Sequence, residues 1–398
     1  MAATKKGVWS LQEVRDKQLK SEWSYQASDP NSLYVWGSNQ NGQLGLNAPD
    51  NSHYSSPVQI PGTWNGIYRT IDAESRFAEK TAGSLWTWGK NSNYGQLGVN
   101  DRTDRSSPTQ IPGTTWNTLI AYEYGAVATK TDGTLWAWGS NTYGQVGQND
   151  KTDRSSPCQI GTSTDWSTGF AQVSGTGCGA IKTNGTLWMW GRNWRGGLGQ
   201  NGPLNAHYSS PIQVGTDTNW KTLYGDGLSF SAAKTDGTYW VWGRQWGGGL
   251  GLNQGGNNDN YSYSSPVQLG TNTNWAIVQN RTPQGLSTKT DGTLWSWGYQ
   301  LRGTLGFNQS TTQYSSPTQL GTATDYPTAD AKFMDVMNIP SLSGVIKTDG
   351  TLWLWGTNQY GQMAQNNTNS GISSPTQVPG TWAACDGKGW DGGVIAVT

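Results

Sequence analysis

With 398 residues, 55 of them Gly, 24 Trp and only 13% charged, the chain reads as a turn-rich all-β protein. Lys plus Arg and Asp plus Glu balance at 26 each, which argues against nucleic acid or an anionic lipid surface as a partner. The tryptophans, each able to bury ~200 Å², supply apolar area that disordered chains lack. Three cysteines, Cys158, Cys178 and Cys385, make no disulfide framework. No run of about 18 apolar residues predicts membrane insertion. The first residues hold no apolar core of a secretory signal, so synthesis in a cytoplasm without export by that route is expected.

Residues 1–28 read as an N-terminal arm. Ser10 and Glu13 form a capping box before a short helical pattern. Leu11, Val14, Gln18 and Trp23 give a rough apolar stripe. A helix this short is marginal alone and wants a partner surface, with Val8, Trp9, Leu11, Val14, Leu19 and Trp23 as the anchoring residues.

Residues 29–398 are repetitive. A Trp-Gly pair ends an alternating run seven times, at Trp36, Trp88, Trp138, Trp190, Trp242, Trp297 and Trp355, spaced 50 to 58 residues apart. That period suits a four-stranded propeller blade. One unit can be read from Ser106, with SSPTQI, WNTLIAY, AVATKT and TLWAWG as successive strands. Asp132-Gly133 between the last two is a hairpin signal. Gln59, Gln110, Gln159, Gln213, Gln268, Gln319 and Gln377 recur after each SSP, and structural hydrogen bonding explains them better than a ring of ligand contacts. The N-terminal Leu33–Gly37 supplies a lone fourth strand, and 373–398 supplies three strands. Together they predict a split blade, hence seven blades in a ring closed by pairing of the two ends, which removes exposed edges.

These repeats, such as GSLWTWGKNSNYGQLGVN from Gly83 and GTLWAWGSNTYGQVGQN from Gly133, closely resemble the regulator of chromosome condensation repeat. The resemblance covers about residues 29–398 and implies a seven-bladed propeller. It implies little about function. The family includes a nucleotide-exchange factor, β-lactamase inhibitors, ultraviolet sensors and simple protein binders. This chain has no basic tail, and NWRGG at Asn193–Gly197 departs from the sensors' Gly-Trp-Arg-His-Thr motif. A second resemblance lies in GVWSLQEVRDKQLKSEW, Gly7–Trp23, which is similar to a leader of marine bacteriophage virion proteins. It implies a virion component, such as a tail fibre or capsid-surface protein, whose arm docks on other virion subunits. The contrasting expectation is a cytosolic regulatory propeller binding a small GTPase or another protein.

No catalytic site, metal or cofactor is expected. His53 and His207 occupy matching HYSSP positions, too far apart to share a metal. Asp132, Asp236, Asp291 and Asp349 each precede Gly and read as turn residues. Gly247–Gly251 copies the repeat's GQLG loop and is no phosphate cradle.

Recognition should lie where repeats differ. The longest variable loop, Leu252–Tyr263, offers Asn257, Asn258, Tyr261 and Tyr263. RNWRG, RQWGG and YQLRG place Arg192, Trp194, Arg195, Arg244, Trp246, Tyr299 and Arg302 on neighbouring blades. Such residues can stack on a host-surface glycan or anchor a protein; their alternative use is packing between blades. Tyr326–Gly344 replaces the usual Trp-led strand and reads as an insertion that meets a neighbouring subunit, in keeping with a homo-oligomer.

Overall fold

Asp-Gly turns set the hairpins. At Asp132-Gly133 the glycine has φ 79°, and a Cβ there would sit 2.1 Å from the Thr164 carbonyl oxygen. The Asp132 carboxylate accepts hydrogen bonds from the Thr134 N–H at 3.0 Å and the Thr134 hydroxyl at 2.6 Å. The strands on either side then pair residue for residue, Leu135 with Thr129 through Gly139 with Gly125.

A computed structural model describes residues 32–37, 39–48, 54–67, 70–71, 74–122, 124–173, 177–225, 228–254, 261–281, 283–300, 302–309, 312–326, 331–336, 339–358, 363, 371–382, 384–387 and 394–397. The anchoring residues Val8, Trp9, Leu11, Val14, Leu19 and Trp23 lie outside them, as do Asn257 and Asn258. The described chain is a β-propeller of four-stranded antiparallel blades, with a single 3₁₀ turn at Trp194–Gly196.

Six blades are built from successive strands. Blade one orders Gly66–Ile67, Ser75–Glu79, Leu85–Gly89 and Arg105–Gln110. Blade two follows as Trp116–Tyr122, Gly125–Lys130, Leu135–Gly139 and Arg154–Gln159. It gains a fifth strand, Thr70–Ile71, parallel to Trp116–Tyr122. Blades three, four, five and six start at Trp166, Trp220, Trp275 and Ala331 and end at Gln213, Gln268, Gln319 and Val378. The remaining sheet mixes the two ends of the chain, in the order Tyr54–Ile60, Leu33–Gly37, Val394–Val397, Ala384–Gly387.

The SSP strand closes a blade instead of opening one, which corrects the unit read from Ser106. Arg154–Gln159 folds back on Leu135–Gly139, pairing Ala137 with Cys158 and Gly139 with Arg154 across a bulge. The turn after each SSP strand then crosses to the next blade, where the N–H of Trp166 donates to the Gly133 carbonyl at 3.1 Å. Each chain end therefore gives two strands to the mixed sheet, not one and three. Tyr326–Gly344 is corrected in part as well. Its Tyr326 sits buried in the Trp slot, its N–H donating to Gly292 as Trp166 does to Gly133. Ala331–Val336 and Ile339–Ile346 then serve as ordinary strands of blade six.

Neighbouring blades are joined by two repeated bonds. In six of the Trp-Gly pairs the buried Trp donates its indole N–H to a loop carbonyl of the preceding sheet: Trp88 to Gln43, Trp138 to Gln96, Trp190 to Gln145, Trp242 to Gly197, Trp297 to Gly249 and Trp355 to Thr304, all at 2.8–3.0 Å. An Asn in left-handed backbone, at 47, 100, 149, 201, 253 and 308, donates its N–H to the carbonyl of the first Ser in the SSP strand of the following blade. Gln213, Gln268 and Gln319 donate to glycine carbonyls two residues on, the structural role expected of them.

Candidate functional site

The loops that follow Trp-Gly are held from beneath. In blades three, four and five a buried amide side chain accepts an N–H five residues on: Asn193 from Leu198 at 3.0 Å, Gln245 from Leu250 at 3.1 Å, Gln300 from Leu305 at 2.8 Å. These bonds, with the indole bonds from the next blade, fix the loop backbone. The side chains of Tyr143, Arg192, Trp194, Arg195, Arg244, Trp246 and Tyr299 in these loops stay half-buried.

In blades two to five those residues form one ladder. The Arg192 guanidinium lies 4.7 Å from the Tyr143 ring of blade two and 5.1 Å from Trp194. Arg195 lies 6.0 Å from Trp194. Arg244, from blade four, reaches back to Trp194 at 5.8 Å and forward to Trp246 at 5.2 Å. Trp246 then stacks on Tyr299 of blade five, centroids 6.1 Å apart and planes 17° apart. Gly247 makes this possible, since a Cβ there would stand 2.7 Å from the Tyr299 Cβ. His207 meets Tyr143 edge-on at 5.2 Å, and burial, aided by the charges of Lys151 and Arg192, lowers its pKa.

The candidate residues thus divide. Arg192, Trp194, Arg195, Arg244, Trp246 and Tyr299 are brought together. Arg302 is exposed and makes no ring contact among the described residues. Tyr261 is 54% exposed, while Tyr263 packs half-buried between two core clusters. Tyr143, which joins the ladder through Arg192, was not among the candidates.

Two loop positions carry backbone strain. Arg195 (φ 55°) and Arg302 (φ 51°) hold the left-handed region that the matching Gly247 (φ 58°) takes freely. Chemically, the ladder sets guanidinium groups 4.7–6.0 Å from ring centroids. A guanidinium group is the side chain best shaped to pair with a carboxylate.

A second repeated cluster escaped sequence reasoning. Lys80, Lys130, Lys182, Lys234 and Lys289 each sit over two tryptophans; Lys130 is 3.9 Å from Trp136 and 4.8 Å from Trp116. Lys347 does so with Tyr326 and Trp353. The signal was present: each Lys precedes the first Trp of its LWxWG-type strand by six residues. This cluster is cement for each blade. No group of three or more His, Cys, Asp or Glu placed to hold a metal occurs among the described residues.

Residues 31–71, 82–125, 132–179 and 349–383 match the regulator of chromosome condensation (RCC1) repeat. RUG3, an RCC1 domain-containing mitochondrial protein of Arabidopsis thaliana, is 27% identical over 390 residues, spanning 88% of this chain and 83% of its own. The ultraviolet-B receptor UVR8 of the same plant is 31% identical over 318 residues, 73% of this chain and 65% of its own. In fold, the chain is similar to Prp20p of Saccharomyces cerevisiae, with TM-score 0.75, 16% identity, and 98% and 94% of the two chains covered. The repeat matches and the blade architecture agree that the chain is an RCC1-like propeller.

Proposed function

We propose that this propeller is a non-enzymatic protein-binding module whose docking face is the Arg–aromatic ladder of blades two to five. The carrying observation is the unbroken run from Tyr143 through Arg192, Trp194, Arg244 and Trp246 to Tyr299. Arg and Trp are the residues that dominate protein interfaces. Support by analogy comes from Prp20p, whose binding to Gsp1p and histones has been characterised. In the same proposal the mixed sheet is a seventh blade that shuts the ring, because Leu33–Gly37 pairs antiparallel with both Tyr54–Ile60 and Val394–Val397. A photo-crosslinking residue at Trp246, compared with one at Asn184 in a hairpin turn, tests the face in cells that express the protein. Discrete protein adducts from position 246 alone are expected; equal adducts from both positions, or none from 246, would overturn it.

The narrower reading, a bacteriophage virion appendage docked through residues 1–28, rests on the likeness of Gly7–Trp23 alone, and the relatives above lend it no support. Its test is co-sedimentation of the full chain with virus particles. Loss on deleting residues 1–28 would favour it, and unchanged sedimentation would remove it.

A further inference from the structure

Six slots between neighbouring sheets share one construction. The residue after each GxxG loop lies beside the first Trp of the next blade's LWxWG-type strand. In four slots that residue is an apolar plug. Leu46 shares a hydrophobic cluster with Trp86, Val99 with Trp136, Leu252 with Trp295 and Phe307 with Trp353. The slots before blades three and four carry Gln148 and Gln200 instead. Gln200 donates its amide N–H to the Ile212 carbonyl at 3.2 Å, so no apolar side chain takes the plug position beside Trp240, whose ring carries Lys234 at 4.0 Å. What remains is a groove of about 260 Å³, lined by Gln200, Asn201, Asp217, Trp220, Trp240 and Pro266 among others.

We infer that this groove is a carbohydrate subsite that takes one pyranose ring. It shares no residue with the Arg–aromatic ladder and does not depend on that face binding protein. The volume lies just below that of pockets for drug-sized ligands, which suits a single ring. With Lys234 over one face of its ring, the half-buried Trp240 has its other face and edge, together with Pro266, to offer the C–H face of a sugar. The polar wall is rich in acceptors. Asp217, half-exposed and paired with Lys234 at 2.9 Å, can only accept while ionised. Gln200 keeps its carbonyl oxygen available once its N–H is engaged. Vicinal hydroxyls supply the donors that such a wall requires. A proline-rich peptide, the other common guest of a Trp–Pro groove, has no N–H at its prolines to offer. Trp220, 4% exposed, lines the groove with its indole N–H unpartnered. Trp64, Trp166 and Trp275 share that trait, and the slot before blade three also lacks an apolar plug, so what marks this slot is the groove itself.

The test uses the full chain and saturation-transfer NMR with methyl glucoside, methyl galactoside and methyl N-acetylglucosaminide, alongside decaproline. Transfer to at least one glycoside is expected. Gln200→Leu, which restores the plug used in four other slots, should weaken that glycoside roughly tenfold or more, because a side chain then occupies the site. Its melting temperature should hold or rise, which separates loss of the site from loss of the fold. Trp240→Phe should weaken binding to a smaller extent. Three results would each overturn the inference: no transfer to any glycoside, transfer unchanged by Gln200→Leu, or binding of decaproline in place of the sugars.

Discussion

Replacing Trp138 with Phe isolates the bond that joins blades one and two. Trp138 is fully buried, and its indole N–H reaches the Gln96 carbonyl of the preceding blade's loop at 3.0 Å. Its ring also meets Trp116 at 5.8 Å. Phe keeps that aromatic contact but has no donor. An abandoned buried carbonyl costs about 1–3 kcal/mol. The lost ring volume, ~40 Å³, adds roughly 1 kcal/mol at the cavity rate seen in well-packed cores. The expected loss is therefore about 2–4 kcal/mol. Trp136→Phe is the control, since the half-buried Trp136 donates only to the Thr134 hydroxyl two residues away, at 2.7 Å. That change should cost about 1 kcal/mol or less, because water can replace the donor. Urea unfolding followed by far-ultraviolet circular dichroism reads both variants. If Trp138→Phe moved the midpoint no more than Trp136→Phe, the inter-blade indole bond would not be a principal tie of this fold.

Three further outcomes are expected. Arg302→Gly should raise stability by about 0.5–1 kcal/mol in thermal melts, because relief of left-handed strain, ~1–2 kcal/mol, exceeds the added chain entropy of glycine, ~0.5–1 kcal/mol; a lower melting temperature would mean that Arg302 makes a stabilising contact. Ending the chain at Asp391 removes Val394–Val397 from between Leu33–Gly37 and Ala384–Gly387, so the melt should fall by many degrees, and an unchanged melt would refute ring closure. The carboxyls of Asp132, Asp236, Asp291 and Asp349 are held below their ordinary value of 3.8, first by the hydroxyl of the Thr two residues on and then by that residue's N–H. A lowered folded pKa contributes stability above the unfolded value and loses it as pH falls through the folded one. Replacing all four with Asn, which already makes the same bonds at Asn184, should shrink the drop in melting temperature between pH 5 and pH 3; an equal drop would place the acid sensitivity elsewhere.

Local chemistry was legible in the sequence, and contacts between blades were not. The Asp132-Gly133 turn and the strands around it follow from residues adjacent in the chain. Placing SSP at the start of a unit failed because the bond that decides it, between Leu135–Gly139 and Arg154–Gln159, spans a loop of variable length. Trp138 read as apolar filling, since its partner Gln96 lies 42 residues away. The ladder was half legible. Aligning the repeats put Trp194 and Trp246 in one position and Arg192 and Arg244 in another. That Arg244 should touch Trp194 depends on the angle between blades three and four, which no single repeat encodes. Lys130 was overlooked because a lysine beside a hairpin turn looks like a solvated charge, although its stem and ammonium lie over two indoles.

The division of labour within one loop is the physical case for where function sits. In WGRNWRGGLG, Asn193 satisfies the Leu198 amide, Gly197 receives the next blade's indole, and Leu198 is fully buried. Those positions serve the scaffold, and their counterparts in other blades do the same. The position of Trp194 does not: Thr142 and Leu301 stand there in blades two and five. A blade closes equally well with a small hydroxyl or an aliphatic group at that point, so indoles at 194 and 246 are not needed for closure. Arg195 goes further, holding left-handed backbone where glycine serves in the next blade. The same logic applies to Gln200, where an apolar plug would bury more surface. Side chains that the fold does not require, or that it holds at a cost, are where a binding role has physical support.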